Sequence, residues 1–175
     1  TGSTEGIGKE LARQLRDKSA SIIAHGRNPE RIAETKAEGF EVIAADLSNV
    51  DGGKKLLNAV EGREIDILIN NAGAGTPHDF REGPPDSAHN DAILYLNLAA
   101  PIRIIAALVP MLRTRPEAMI VNVTSGLAIA PRAGGPVYCG TKAGLRSYTQ
   151  AIRYQLKDTK VRLLDAMPPV VRTAL

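Results

Sequence analysis

Residues Thr1–Gly8 read TGSTEGIG. A glycine-rich turn of this kind normally carries a chain from a buried strand into a helix. Glycine at positions 2, 6 and 8 lets the backbone bend tightly and lets an anion approach its N–H groups. A helix starting near Ile7 would add its own unpaired N–H groups and the positive end of its dipole. The spacing matches neither the G-x-G-x-x-G fingerprint nor the G-K-[ST] ending of a P-loop. Taken alone it suits a plain strand–helix connection and a nucleotide site equally. No strand precedes Thr1 in the sequence, and no initiator Met or signal peptide is seen, so a longer parent protein is expected.

Working outward, the chain alternates between two textures. Short apolar runs rich in β-branched residues recur as SIIAHG, EVIAAD, DILINN, MIVNVTS and VRLLDA. Near-continuous apolarity suits strands covered on both faces. Between them lie segments with helical spacing: 8–18, 29–38, 50–60, 87–113 and 137–157. Asp46 or Ser48 is placed to cap the third of these helices. Strand and helix alternating over the whole length imply βαβ units and an α/β fold, one doubly wound parallel sheet with helices on both faces. The segment TPHDFREGPPDSAH (76–89) is the one long polar loop and a candidate for mobility, unless it is a plain connector.

The bulk properties fit one domain. A chain of 175 residues, 43% hydrophobic and 23% charged, can bury a sizeable core. The net charge of +3 is scattered and aromatics make up only 3%, which argues against a nucleic-acid surface. Cys139 is the only cysteine, so an intrachain disulfide and a zinc cluster are excluded. That agrees with a reducing, cytoplasmic setting. The stretch AILYLNLAAPIRIIAALVPML (92–112) is apolar enough to suggest a membrane span, but it contains Asn97, Arg103 and two prolines. A buried helix is the expected reading.

Three further features carry chemistry. At the end of the next strand, where a dinucleotide fold approaches the adenosine ribose, the sequence reads AHGRN and no carboxylate is present. Arg27 can pair bidentately with a phosphate dianion, so NADP(H) is favoured over NAD(H), although a solvated loop arginine would read the same way. His25 either assists there or is structural. Tyr138 and Lys142 stand four apart on a predicted helix, on one face. A neighbouring ammonium stabilises a phenolate, which fits the phenol for proton transfer to or from a carbonyl oxygen; a surface Tyr–Lys pair is the alternative. Ser125 ends a predicted buried strand, where α/β sheets place their ligand crevice, and its hydroxyl can hold a substrate oxygen. No G-x-S-x-G elbow surrounds it.

With these residues in order, the sequence resembles the short-chain dehydrogenase/reductase family, in its small single-domain branch with a Rossmann-like sheet. TGSTEGIG resembles the family's T-G-x-x-x-G-x-G cofactor turn, which implies contacts from Gly2, Ser3, Thr4, Gly6 and Ile7. Asp46 and Leu47 fall where the family holds the adenine ring. Asn70–Gly73 (NNAG) matches the segment that borders the cofactor, through Asn71, Ala72 and Gly73. Asn97 matches the helix asparagine implied to hold a water in a proton relay. Ser125, Tyr138 and Lys142 match the family's serine, tyrosine and lysine at the usual spacing. PPVVRT resembles P-G-x-V-x-T, which implies nicotinamide contacts from Pro168 and Thr173, though Pro169 replaces the usual glycine and cannot take a glycine-only conformation. The implied chemistry is hydride transfer between nicotinamide C4 and a carbonyl or secondary alcohol. In it Tyr138 is acid/base, Ser125 orients the oxygen, and Lys142 lowers the tyrosine pKa and binds the ribose. Cys139, beside Tyr138, is read as a small helix residue facing away from it.

Two other readings remain on the sequence alone: a sugar-nucleotide epimerase or dehydratase relative, and a non-catalytic NADP-binding sensor or scaffold on the same fold. Apolar excess on the two long helices (Leu94, Leu98, Ile102, Ile105, Leu145, Tyr148, Ile152) fits either core packing or, as the resemblance implies, a homodimer or homotetramer. The expected partner is a small carbonyl or alcohol, with no nucleic acid and no membrane. The expected domain is a single NAD(P)-binding unit over 1–175, truncated at both ends. It lacks the first strand and the C-terminal substrate loop. If so, residues 1–175 expressed alone will be unstable and bind cofactor poorly, and a well-folded, NADPH-binding 175-residue protein in calorimetry and fluorescence titration overturns that expectation.

Overall fold

The computed structural model describes residues 1–169. In chain order these form α1 (Gly6–Asp17), β1 (Ile23–Gly26), α2 (Pro29–Ala37), β2 (Glu41–Ala44), α3 (Val50–Ala59), β3 (Ile67–Asn70), α4 (Ser87–Leu94), a π-helical turn (Tyr95–Ala99), α5 (Ala100–Leu112), β4 (Ala118–Val123), α6 (Pro136–Gln155) and β5 (Val161–Ala166). All strand pairings are parallel, which βα alternation requires. The α/β class and every predicted strand and helix are present.

The single sheet expected from the sequence is divided in two. β1 pairs with β2, and β3, β4 and β5 form a second sheet in that order. Between the facing edges of β1 and β3 lies a slot of about 470 Å³, lined by Ala24 and Leu68 from the strands and by Leu11, Leu15, Leu56 and Ile104 from helices. Among the described residues no strand occupies this slot, and the ladder is interrupted there. Only the first residues cross its upper end: the Thr1 amino group donates to Ile69 O at 2.5 Å and Ser3 N–H donates to His25 O at 2.8 Å.

Local chemistry sets the helix ends. Asn28 Oδ1 accepts from Arg31 N–H at 2.9 Å ahead of Pro29, and Asp86 Oδ1 accepts from His89 N–H at 3.1 Å. The third helix is capped by Asn49, whose Oδ1 accepts from Gly52 N–H at 2.9 Å. Neither Asp46 nor Ser48 caps it, because Asp46 Oδ1 instead accepts Ser48 N–H at 3.1 Å in the preceding turn. In the polar loop, Asp79 caps a short 3-10 turn at Phe80–Glu82.

The long helix expected over 87–113 is interrupted by the π turn, centred on Asn97. Ser87–Leu112 is long and apolar enough to cross a membrane, with mean hydropathy 2.0. In this fold it is a core helix: Ala100, Ile104, Ile105 and Leu112 are buried against the sheet with Ile120 and Ile152. Ile105, Leu145 and Ile152 are thus spent on the core, whereas Leu94 stays 44% exposed. A buried polar chain fixes how α6 lies on the sheet. Asn70 Nδ2 donates to Asn122 Oδ1 at 2.9 Å, Asn122 Nδ2 to Thr149 Oγ1 at 2.8 Å, and Thr149 to Leu145 O at 2.7 Å. Replacing the true cap, Asn49→Ala, should cost about 1 kcal/mol in urea unfolding. Ser48→Ala should stay within about 0.5 kcal/mol.

Candidate active site

The glycine turn is held from two sides. Gly2 has φ +64°, and a Cβ there would stand 2.7 Å from Ala72 Cα; a Cβ on Gly8 would stand 2.1 Å from Gly2 O. Only glycine fits either place. Asn71, at the end of β3, donates through Nδ2 to Gly2 O at 2.8 Å, while its N–H and that of Ala72 both donate to Thr1 Oγ1 at 3.2 Å. On the other side Gly2 N–H donates to His25 Nδ1 at 3.0 Å, which leaves the ring proton on Nε2, facing Ala45 O at 3.1 Å. Burial pushes the His25 pKa down to about 4, so the ring is neutral. Of the two sequence readings of His25, the structural one is what the geometry shows.

Beside this turn opens a cleft of about 490 Å³. Gly2, Thr4, Gly6, Ile7, Arg27, Asp46, Leu47, Asn71, Ala72 and Gly73 all line it, bringing together most of the expected cofactor contacts. Ser3 does not line it, because its hydroxyl turns back to accept His25 N–H at 2.8 Å. Arg27 and Asp46 face one another at 3.5 Å, both well exposed. Nearby, Arg31 pairs with Glu5 of the glycine turn. Pro168 is half-buried outside the cleft lining, and the expected contact Thr173 lies outside the described residues.

The catalytic candidates adjoin the other end of the cleft, through Gly73 and Gly75. A Cβ on Gly73 would be 3.3 Å from Lys142 Nζ, and one on Gly75 would be 3.0 Å from the Tyr138 ring. Lys142 is only 3% exposed; its ammonium donates to Val123 O at 2.8 Å and lies 5.7 Å from the Tyr138 ring centroid. Burial pushes its pKa down to about 8. Ser125 Oγ accepts from Leu127 N–H at 3.2 Å, which leaves the hydroxyl proton available as a donor.

Asn97 is fully buried and its amide is committed to protein. Oδ1 accepts Ala74 N–H at 2.9 Å, and Nδ2 donates to Ala74 O at 2.8 Å and to Thr141 Oγ1 at 3.0 Å. Its side chain therefore clamps the 73–75 loop to α6, a role beside the water-holding one that the resemblance implied. Cys139 is buried, with Sγ 3.9 Å from Arg132 O, as a small packing residue.

The short chain dehydrogenase family model matches residues 1–175. The chain is 37% identical to the uncharacterized oxidoreductase DltE of Bacillus subtilis, covering 100% of this chain and 71% of that protein. It is 34% identical to serine 3-dehydrogenase of Agrobacterium fabrum, over 99% of this chain and 71% of the relative. Among solved structures, a short-chain dehydrogenase from Sphingobium yanoikuyae in complex with NADPH superposes with TM-score 0.90 at 26% identity, covering 98% of this chain and 70% of that one. The chain belongs to the short-chain dehydrogenase family, the nicotinamide-dependent oxidoreductases that act on CH–OH groups.

Sequence reading missed Thr141, Gly75, and the Glu5–Arg31 pair. Thr141 is the residue inside YCGTK that Asn97 grips, and only packing reveals that contact. Arg31, in the first turn of α2 just after the AHGRN strand end, is a second basic residue that the sequence places near Arg27. The buried ammonium makes a checkable demand on stability. Lys142 titrates near 8 when folded and near 10.5 when unfolded, so between those values the unfolded chain binds more protons. Stability must therefore rise with pH there. Relative to Lys142→Met, the wild type should gain up to about 3 kcal/mol between pH 8 and 10.5, read from urea midpoints.

Proposed function

We propose that this chain forms the cofactor-binding and catalytic part of an NADP(H)-dependent oxidoreductase that interconverts a small carbonyl compound and its alcohol. The observation that carries this reading is the meeting, at one end of the cleft, of Tyr138 with the buried ammonium of Lys142. Arg27 and Arg31 line the same cleft. The donor set fits a dinucleotide. Backbone N–H groups at the start of α1, with Gly2 and Gly6 in the cleft wall, suit a pyrophosphate, and the two guanidiniums suit a 2′-phosphate. The relative solved with NADPH supports the same preference. A nicotinamide bound there would supply or accept the hydride.

The chain's own residues handle position and the proton. Ser125 retains a hydroxyl donor to aim at the substrate oxygen. Lys142, held by Val123 O, places a positive charge beside the Tyr138 ring and so favours the phenolate. In the reducing direction the phenol O–H gives its proton to the oxygen that gains negative charge; in the oxidising direction the phenolate takes the alcohol proton. Asn97 keeps α6 and the 73–75 loop together, so the phenol and the cleft hold one geometry.

Small hydroxy acids are the substrate class to test first, because serine 3-dehydrogenase is among the relatives. A cytoplasmic homodimer or homotetramer is part of the same proposal; it is supported by large apolar or aromatic side chains left outside on helices, Leu94 at 44% and Tyr154 at 76% exposure. The test is turnover of full-length protein with NADPH and NADH across a carbonyl panel. Tyr138→Phe should lower kcat at least about 1000-fold while NADPH binding, followed by fluorescence, changes less than about 3-fold. Arg27→Ala should weaken NADPH about 10-fold or more and leave NADH nearly unchanged. Substantial turnover in Tyr138→Phe defeats the assignment.

A further inference from the structure

Behind the proposed catalytic face, the ends of β4 and β5 and the middle of α6 meet at a charged knot. Asp165, the next-to-last residue of β5, has a side chain only 7% exposed, and both its oxygens are engaged. Oδ2 accepts from Arg146 Nη1 at 2.5 Å, and Oδ1 accepts from the Thr124 hydroxyl. Thr124 immediately precedes Ser125, and its N–H donates to Ala166 O at 2.8 Å. Arg146 follows Lys142 by four residues and Tyr138 by eight, so the three share one face of α6.

Bracing alone does not require charge at this place. A buried ion pair has a desolvation cost that a well-packed apolar pair avoids, and such replacements are often neutral or stabilising. What the carboxylate adds is sign. Arg146, whose side chain is 28% exposed, stands one helical turn after Lys142 along α6. A second cation there would disfavour the protonated lysine and over-stabilise the phenolate. Other charged or titratable side chains on neighbouring elements are His89 and Asp91 on α4, Tyr95 in the π turn, Arg103 on α5, Arg132 ahead of α6 and Arg162 on β5. None makes a side-chain hydrogen bond to Tyr138, Lys142 or Arg146 among the described residues.

We propose that Asp165 and Arg146 are a positioning pair for the acid/base site: Asp165 holds Thr124, and with it Ser125, at the end of β4, while its charge cancels that of Arg146 beside Lys142. This rests on the reading of Tyr138 and Lys142 as the acid/base pair. The proton held at Tyr138 Oη then depends on the knot through charge as well as through position.

Opposite signs make the test specific. In full-length protein labelled with ζ-13C tyrosine, the Tyr138 resonance, assigned by its loss in Tyr138→Phe, is titrated with pH. Asp165→Asn leaves the guanidinium uncompensated, and Tyr138 should ionise about 0.5–1 pH unit lower. Arg146→Met leaves the carboxylate uncompensated, and the shift should be upward by a similar amount. The double variant should return close to wild type. If Asp165→Asn does not fold, the upward shift in Arg146→Met carries the test. For the positional half, Thr124→Val should lower kcat about 10-fold with unchanged NADPH affinity, and Thr124→Ser should restore it to within about 2-fold.

Coincident titrations in all variants, or single variants shifted in the same direction, overturn the charge role. Equal kcat in Thr124→Val and wild type overturns the positional one. Opposite shifts without any carbonyl turnover by the wild type would defeat the catalytic reading and leave the electrostatic pairing standing. Turnover with coincident titrations would do the reverse.

Discussion

An ammonium ion held almost out of contact with water is the constraint on which the rest of this site depends. Lys142 is 3% exposed and, among the described residues, its ammonium makes one hydrogen bond, to Val123 O. Burial of a charge is unfavourable unless fixed dipoles replace the lost hydration. The surrounding structure supplies those dipoles and keeps the space open. The end of β4 offers a carbonyl, and Gly73 leaves room for Nζ where any side chain would crowd it. Asn97 ties the loop carrying Gly73 to the helix carrying Lys142. The π turn at Tyr95–Ala99 contains Asn97, at a point where an uninterrupted helix was expected.

The cleft's other end is governed by a different economy of hydrogen bonds. Asn71 and His25 grip the glycine turn from opposite strands, so backbone groups that would otherwise be orphaned at the sheet edge are satisfied. The Ser3 side chain is turned inward by this grip, to His25, while Thr4 packs against Gly26 in the cleft wall. The first three residues bridge β1 and β3.

Charge is distributed along the cleft as carefully as hydrogen bonding. Arg27 faces Asp46 and Arg31 faces Glu5, so both guanidiniums at the adenosine end already have carboxylate partners. Behind the proposed catalytic face, outside the cleft lining, Arg146 faces Asp165. The exposed pairs are worth little to stability, and their value is in holding the guanidiniums in place. Among these, the Asp165 pair is the one with a largely buried carboxylate, and there the low local dielectric makes its sign felt by neighbours.

Most of the architecture was legible in the sequence. Apolar runs with β-branched residues marked all five strands, and helical spacing marked the helices to within a few residues, because burial on both sheet faces and on one helix face leaves distinct periods. The closeness of Lys142 to Tyr138 and the tight glycine turn were legible too, since both follow from residue type and local spacing. What tertiary structure alone decided were choices between equivalent local partners. Asn49 caps α3 although Asp46 and Ser48 were equally placed, because the turn before the helix claims Asp46. His25 became a bracket, Ser3 faced away from the cleft, and Asn97 spent its amide on Ala74 and Thr141. The knot of Thr124, Arg146 and Asp165 joins positions up to 41 residues apart. Such contacts depend on how strand ends and helix faces come together in space, and no local pattern encodes that meeting.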